Sequence, residues 1–155
     1  MGSTFGWGRD DHDHVLSLSN GGTAVFLDVL ALAACELAET DFERGFALLL
    51  CNARIGGGND DFDLDELPWS DEWPSERFFL IRVVRLAAAR FRWDALSYDP
   101  PFAEDYLATY EKLVFDYQPE GVPGARWEQA PAASFERCPE HGLFVGDYQD
   151  CRLCS

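Results

Sequence analysis

Four residues near one end of the sequence have the types and spacing to grip a metal ion: Cys138 and His141 in Cys138-Pro139-Glu140-His141-Gly142, and Cys151 and Cys154 in Cys151-Arg152-Leu153-Cys154. In a CxxH or CxxC turn, two side chains of one tight bend can hold one ion, and two such bends complete a tetrahedron. Three thiolates and an imidazole form a donor set that suits zinc. Pro139 pre-sets the bend, and Gly142 relaxes the chain just after the second ligand. Four protein ligands leave no open coordination position, so the ion would clip the fold together instead of acting as a Lewis acid or a source of hydroxide. Disulfides or free thiols are the plainer alternative, and they leave His141 and both two-residue spacings without a purpose. Cys35 and Cys51 lie in apolar runs and read as small buried hydrophobes.

Between the two ligand pairs, the apolar run from Leu143 is followed by Gly146-Asp147, a turn signal that predicts a small hairpin over residues 143–150. On these residues the segment from Cys138 to Cys154 resembles the knuckle of the zinc-ribbon class, with His141 standing where a second Cys is more usual. The resemblance implies a structural metal and no particular activity.

Other chemistry is thinly represented. With His141 given to the metal, His12 and His14 remain, both in the polar run Asp10-Asp11-His12-Asp13-His14, which reads as a solvated arm. No histidine base is then left for a Ser or Cys nucleophile in the core. Gly56-Gly57-Gly58 lacks the Lys and Ser or Thr that follow in a phosphate-binding loop. Asp94, Asp99, Glu104 and Asp105 surround Tyr98-Asp99-Pro100-Pro101 and read first as turn chemistry.

The elements that must position these residues are helical. The patterning predicts a mainly α protein: about four helices in a compact domain, then a short C-terminal zinc-knuckle and β-hairpin module. Residues 1–22 read as an irregular arm, 23–117 as the helical domain, 118–137 as a linker and 138–155 as the knuckle. Thr23 can cap a nearly continuous apolar helix over 24–37. Thr40 and Glu43 form a capping box for a second helix over 41–54, stopped by the three glycines at 56–58. A third helix is expected over 78–93 with Ser75 as its cap, and a fourth over 102–117. The linker contains Pro119, Gly121, Pro123, Gly124 and Pro131, which predicts a knuckle packed apart from the helices. A chain of 155 residues with 47% hydrophobic content suffices for one core with a small appendage.

From Asn59 to Glu76 the chain carries Asp60, Asp61, Asp63, Asp65, Glu66, Asp71, Glu72 and Glu76 and no basic residue, while Arg77, Arg82, Arg85, Arg90 and Arg92 follow without an acid. Pro68 and Pro74 argue against a regular helix or central strand in the acidic stretch. Phe62, Leu64, Leu67, Trp69 and Trp73 argue against disorder, so an ordered surface loop pinned by its tryptophans is expected. Two uses of this loop compete. It can dock a basic protein, with Asp60, Asp61, Asp63, Asp65, Asp71 and Glu72 steering encounter and Trp69 and Trp73 as anchors. It can instead neutralise the Arg82, Arg85 and Arg92 face of the third helix. Asp61, Asp63, Asp65 and Glu72 also fall at four positions of a calcium loop, but Glu66 replaces the turn glycine and the triglycine interrupts an incoming helix, so calcium is not expected.

The net charge of −16 opposes direct binding to a phosphate polymer and favours a basic protein partner. The longest apolar run, Val29 to Cys35, is too short to span a membrane, and Phe5 to His12 has neither a basic start nor an apolar signal core. The expected location is the cytoplasm, where thiols stay reduced and can hold zinc. The sequence thus predicts a non-enzymatic, acidic protein-binding protein with a structural zinc. In charge and size it is similar to the immunity proteins that neutralise basic nuclease toxins. A zinc-ribbon adapter of nucleic-acid machinery is the alternative, weakened because Arg152 is the one basic side chain of residues 138–155. An enzyme built on clustered carboxylates is the second alternative, without a recognisable catalytic set.

Overall fold

Helix α1 (Asn20–Leu37) is the centre of the computed structural model, which describes residues 3–6, 15–52, 62–64, 67, 69–118, 136–145, 151, 153 and 154. Its cap is Ser19, four residues before the expected Thr23. The Ser19 hydroxyl accepts from the Gly22 N–H at 3.1 Å, and its carbonyl oxygen accepts from both the N–H and the hydroxyl of Thr23 at 2.8 Å. From Val25 to Cys35 every residue of α1 is buried, as an apolar helix requires when other elements cover it on all sides.

Those covering elements are the other helices. Helix α2 (Asp41–Asn52) starts at the expected capping box: the Glu43 N–H donates to Thr40 Oγ1 at 3.2 Å, and Glu43 Oε1 accepts from the Thr40 N–H at 3.1 Å. Helix α3 (Trp73–Ala88) and helix α4 (Ala103–Asp116) pack side by side, and both contact α1. Their pairing is antiparallel, since Arg77 bonds the Phe115 and Tyr117 carbonyls, Arg85 meets Glu111 and Arg90 meets Glu104. The mainly α, four-helix architecture is therefore the one the patterning predicts.

Both ends of α3 differ from expectation, each for a local reason. Helix α3 begins at Trp73 and not at 78, because Pro74 sits in the first turn, where a missing N–H costs no hydrogen bond. It ends at Ala88 and not at 93, because Arg90 and Arg92 take left-handed φ angles of 67° and 56°. Arg92 consequently leaves the arginine face of the helix and points to other work.

The irregular arm expected over residues 1–22 is corrected by a small sheet. Strand β1 (Ser3–Gly6) pairs antiparallel with β2 (Val15–Leu18) and parallel with β3 (Phe62–Asp63), giving the order β2-β1-β3. Phe5 is buried with its ring 5.0 Å from that of Phe26 in α1, and Leu16 and Leu18 are buried beside it. Strands of four residues or fewer carry too little alternation to stand out in a sequence. Residues 7–14, the triglycine at 56–58 and most of the linker, 119–135, lie outside the described residues.

The knuckle does not pack apart. Leu143 and Phe144 are buried in the same core cluster as the four helices. Among the described residues no helix is long and apolar enough to cross a membrane.

Candidate metal centre

The first ligand pair sits on the turn of a short antiparallel ladder. The Cys138 N–H donates to the Leu143 carbonyl at 2.7 Å, the Val145 N–H to the Glu136 carbonyl at 3.0 Å, and Arg137 bridges Phe144. Inside this ladder the Gly142 N–H closes on the Cys138 carbonyl at 2.8 Å. The extended segments therefore flank Cys138-Pro139-Glu140-His141-Gly142 itself. The expected hairpin over 143–150 falls partly on residues 146–150, outside the described residues. Gly142 has φ +76°, and a Cβ there would lie 2.9 Å from Arg92 Nη1, so both its backbone and its lack of a side chain are required. The second pair is a turn as well, with the Cys154 N–H donating to the Cys151 carbonyl at 3.0 Å and the Leu153 N–H to Cys151 Sγ at 3.4 Å.

These turns bring Cys138, His141, Cys151 and Cys154 together with all four ligand atoms within 4.8 Å of one another. His141 presents Nδ1, which lies 3.6 Å from Cys138 Sγ, 3.6 Å from Cys151 Sγ and 3.4 Å from Cys154 Sγ. Cys138 Sγ and Cys154 Sγ are 3.6 Å apart. With sulfurs about 2.3 Å and a nitrogen about 2.0 Å from a tetrahedral centre, S–S and S–N spacings would be about 3.8 Å and about 3.5 Å, so the cluster has the dimensions of one metal site. A disulfide needs sulfurs at about 2.05 Å, and all five cysteines are free thiols. The cluster is close enough to bind a metal ion.

The electrostatics of the thiols fit the same use. Burial pushes the Cys138 thiol up, but the N–H groups of His141 and Glu140, with the imidazole and Cys154, outweigh it and bring the thiol down to about 7. Burial, joined by the charge of Cys138 and Cys154, pushes the Cys151 thiol up to about 12 against the Leu153 N–H. The Cys154 thiol is held above its ordinary value, first by its hydrogen bond with Cys138. Three sulfurs this close cannot all be thiolates unless a positive charge lies between them, which a divalent ion would supply.

The helical domain holds this loop from outside, through residues that ligand spacing alone did not single out. Arg92 Nη1 donates to the His141 carbonyl at 2.6 Å and Nη2 to the Glu140 carbonyl at 3.2 Å. Arg137 Nη1 donates to the Gly142 carbonyl at 3.0 Å, and its guanidinium lies 4.7 Å from the centre of the Phe144 ring. Three successive carbonyls of the turn are thereby bonded by arginines. On the core side, Cys35 and Cys51 are buried with their sulfurs 3.5 Å apart, bridging α1 and α2. The contact with Cys51 lowers the Cys35 pKa against the effect of burial, and the Phe144 N–H, directed at Cys35, lowers it further. These two cysteines are buried as the sequence suggests, and Cys35 also forms part of the floor on which the knuckle sits.

The residues proposed from sequence as a partner surface are divided by the structure. Trp69 is buried, its Nε1 donating to the Leu64 carbonyl at 2.7 Å and its ring 5.2 Å from Phe42 and 5.5 Å from Tyr117. It is an internal pin, and the expectation that it anchors a partner is corrected. Trp73 is half-buried under the Arg77 guanidinium, 5.4 Å away. Asp71 and Glu72 are exposed, and Asp63 is described only as backbone in β3. Asp60, Asp61 and Asp65 lie outside the described residues. The predicted pairing of the acidic loop with the arginines is not found among the described residues: Arg85 pairs with Glu111, Arg90 with Glu104, and Arg92 bonds carbonyls. Glu76 turns back to Ser70, accepting from its N–H at 2.8 Å and its hydroxyl at 2.7 Å. No protein-family model, no curated protein and no solved structure matches this chain, so its functional reading starts from the site itself.

Proposed function

We propose that this chain is a non-enzymatic, acidic binding protein that engages a basic protein, and that a zinc ion on Cys138, His141, Cys151 and Cys154 clips its C-terminal turns to the helical core. A cytoplasmic, inhibitor-like role of the immunity-protein kind fits this chemistry. The observation that carries the reading is that Asp71 and Glu72 stand exposed with no ion-pair partner among the described residues, while Arg85, Arg90 and Arg92 are committed elsewhere. Carboxylates that the fold does not neutralise remain available to steer a basic surface, within a chain of net charge −16. Zinc is favoured by the three sulfurs and one nitrogen at near-tetrahedral spacing, and four protein ligands suit a structural ion.

The test is charge reversal in two blocks, Asp71→Lys with Glu72→Lys, and Asp61→Lys with Asp63→Lys and Asp65→Lys. Association with the basic protein that co-purifies with the tagged chain should slow by about tenfold and lose salt dependence, with melting unchanged. Lower melting with unchanged association kinetics would assign these acids to the fold and remove the reading.

A further inference from the structure

Two large apolar side chains stand on the outer side of the α3–α4 pair: Phe78 is 55% exposed and Phe115 is 61% exposed. Arg77, next to Phe78, bonds the Phe115 carbonyl oxygen, so the two phenylalanines are carried at one level of the pair. They also lie on one side of it. Phe78 precedes Arg85 by seven residues and Phe115 follows Glu111 by four, offsets of about 20° and about 40° around a helix, and the exposed Arg85 spans the seam to Glu111 at 2.8 Å. Large apolar groups exposed together mark a contact surface, as single scattered ones do not.

The same stripe of α3 carries opposite charges at its two ends. Asp71 and Glu72, in the turn that leads into the helix, are exposed with no ion-pair partner among the described residues. Arg82, one turn beyond Phe78 and about 40° to one side of it, is exposed and likewise has none among them. Acids at one end, a phenyl group in the middle and a cation at the other end make a face that is complementary to itself after a half-turn.

We infer that this face binds a second copy of the chain, the two α3 helices lying antiparallel about a twofold axis near Phe78. Arg82 then lies opposite Pro74 of the other copy, within one turn of that copy's Asp71 and Glu72, and the symmetry repeats the contact in reverse. The Phe78 and Phe115 rings of both copies cover one another at the centre. A uniformly basic or uniformly acidic partner laid along this stripe would set like charges together at one end, which a second copy avoids. Two chains of net charge −16 repel at long range, and salt screens distant charges more than those in contact, so the association should tighten as salt rises. Association with a basic partner has the opposite salt dependence. Both use Asp71 and Glu72, but neither reading depends on the other.

Sedimentation velocity on the full, reduced chain between about 5 and about 500 µM tests the dimer. A monomer–dimer equilibrium with a Kd on the order of tens of micromolar is expected, tighter by about tenfold in about 0.5 M than in about 0.05 M salt. Phe78→Asp and Phe115→Asp should each weaken it at least about tenfold, and because both side chains are exposed these variants should melt like the parent. Arg82→Glu, and Asp71→Lys combined with Glu72→Lys, should each weaken it about tenfold on their own. Mixed in equal amounts, these two charge variants should associate as the parent does, because both contacts of the mixed pair again join opposite charges. A chain that stays monomeric at about 500 µM in both salts, a dimer unmoved by Phe78→Asp, or charge variants that associate no better mixed than alone would overturn the proposal.

Discussion

The Arg92 guanidinium donates to the His141 carbonyl oxygen at 2.6 Å, so an arginine four residues beyond the end of α3 holds the turn that carries two of the four candidate metal ligands. The relationship explains two features together. Arg92 takes a left-handed φ of 56°, uncommon for a residue with a side chain, and that backbone directs its fork across the turn. Gly142 lacks a Cβ where one would meet Arg92 Nη1 at 2.9 Å. The end of α3 and the metal centre are thereby coupled across the fold.

Arg92→Ala should destabilise the protein by about 1.5 kcal/mol, since one part-buried and one exposed carbonyl lose a charged donor. Metal affinity should fall about tenfold with it, because the bonds orient the ligand-bearing turn. Arg92→Lys should restore little, as an ammonium cannot span both carbonyls with the geometry of a planar fork. Denaturant melting and zinc competition against a chelator measure the two effects, and a variant with unchanged zinc affinity would detach Arg92 from the centre.

The freshly purified, reduced protein should hold about one zinc per chain, given four ligand atoms at tetrahedral spacing. Metal analysis after gel filtration reads the ratio. Zinc well below half an equivalent, or zinc unaffected by Cys151→Ser, would remove the centre.

The candidate ligands are legible in the sequence because a metal site would force residue type and spacing at the same time. Helices α1, α2 and α4 were legible because long apolar runs and a capping box repeat their message over many residues. The sheet was not: Phe5 and Phe62 pair across more than fifty residues through strands too short to declare a period. Arg92 was read as one more arginine of a helical face, because nothing local announces that the helix stops at Ala88 and that residue 92 turns left-handed. The sequence leaves Trp69 two roles, a pin of its own loop or an anchor for a partner, and the ring buried against Phe42 and Tyr117 takes the first. Local charge describes where the backbone runs, and it does not say which way a large side chain points.

Metal uptake should release protons, and its pH dependence follows from the thiols. At pH 7 the Cys138 thiol, brought down to about 7, is half ionised, while Cys151, pushed up to about 12, and Cys154, held above its ordinary value, are protonated. Binding as three thiolates then displaces about two to three protons per ion, so affinity should rise by about two to three decades per pH unit near neutrality and fall as the medium becomes acidic. Chelator competition between pH 6 and 8 checks the slope. A slope near zero would mean that the sulfurs are not the ligands.

Trp69→Ala should cost about 3–5 kcal/mol in stability, as a buried aromatic removed from between Phe42 and Tyr117 leaves a cavity and takes the shorter of two hydrogen bonds from the Leu64 carbonyl. Trp73→Ala should cost less, because the ring is half-buried and its contact with Arg77 is a partly solvated cation–π pair. Thermal melting of both variants tests the order. Equal, small losses would return Trp69 to the surface.

The chain shortened to residues 1–137 should lose stability sharply, contrary to what a proline-rich linker suggests. Leu143 and Phe144 belong to the common core, so removing residues 138–155 exposes the α1 and α2 surface around Cys35 and takes away the carbonyls that Arg92 bonds. Full burial of side chains of this size contributes about 1.5–3 kcal/mol each, a large part of the stability of a small domain. Phe144→Ala isolates the packing part: it should lower stability by about 3–5 kcal/mol while leaving all four metal ligands in the sequence. Circular dichroism through thermal denaturation reads both. If the shortened chain melts as cooperatively and at the same temperature as the full chain, and Phe144→Ala is silent, then the knuckle rests on the helices without supporting them, and the coupling through Arg92 serves only the metal centre.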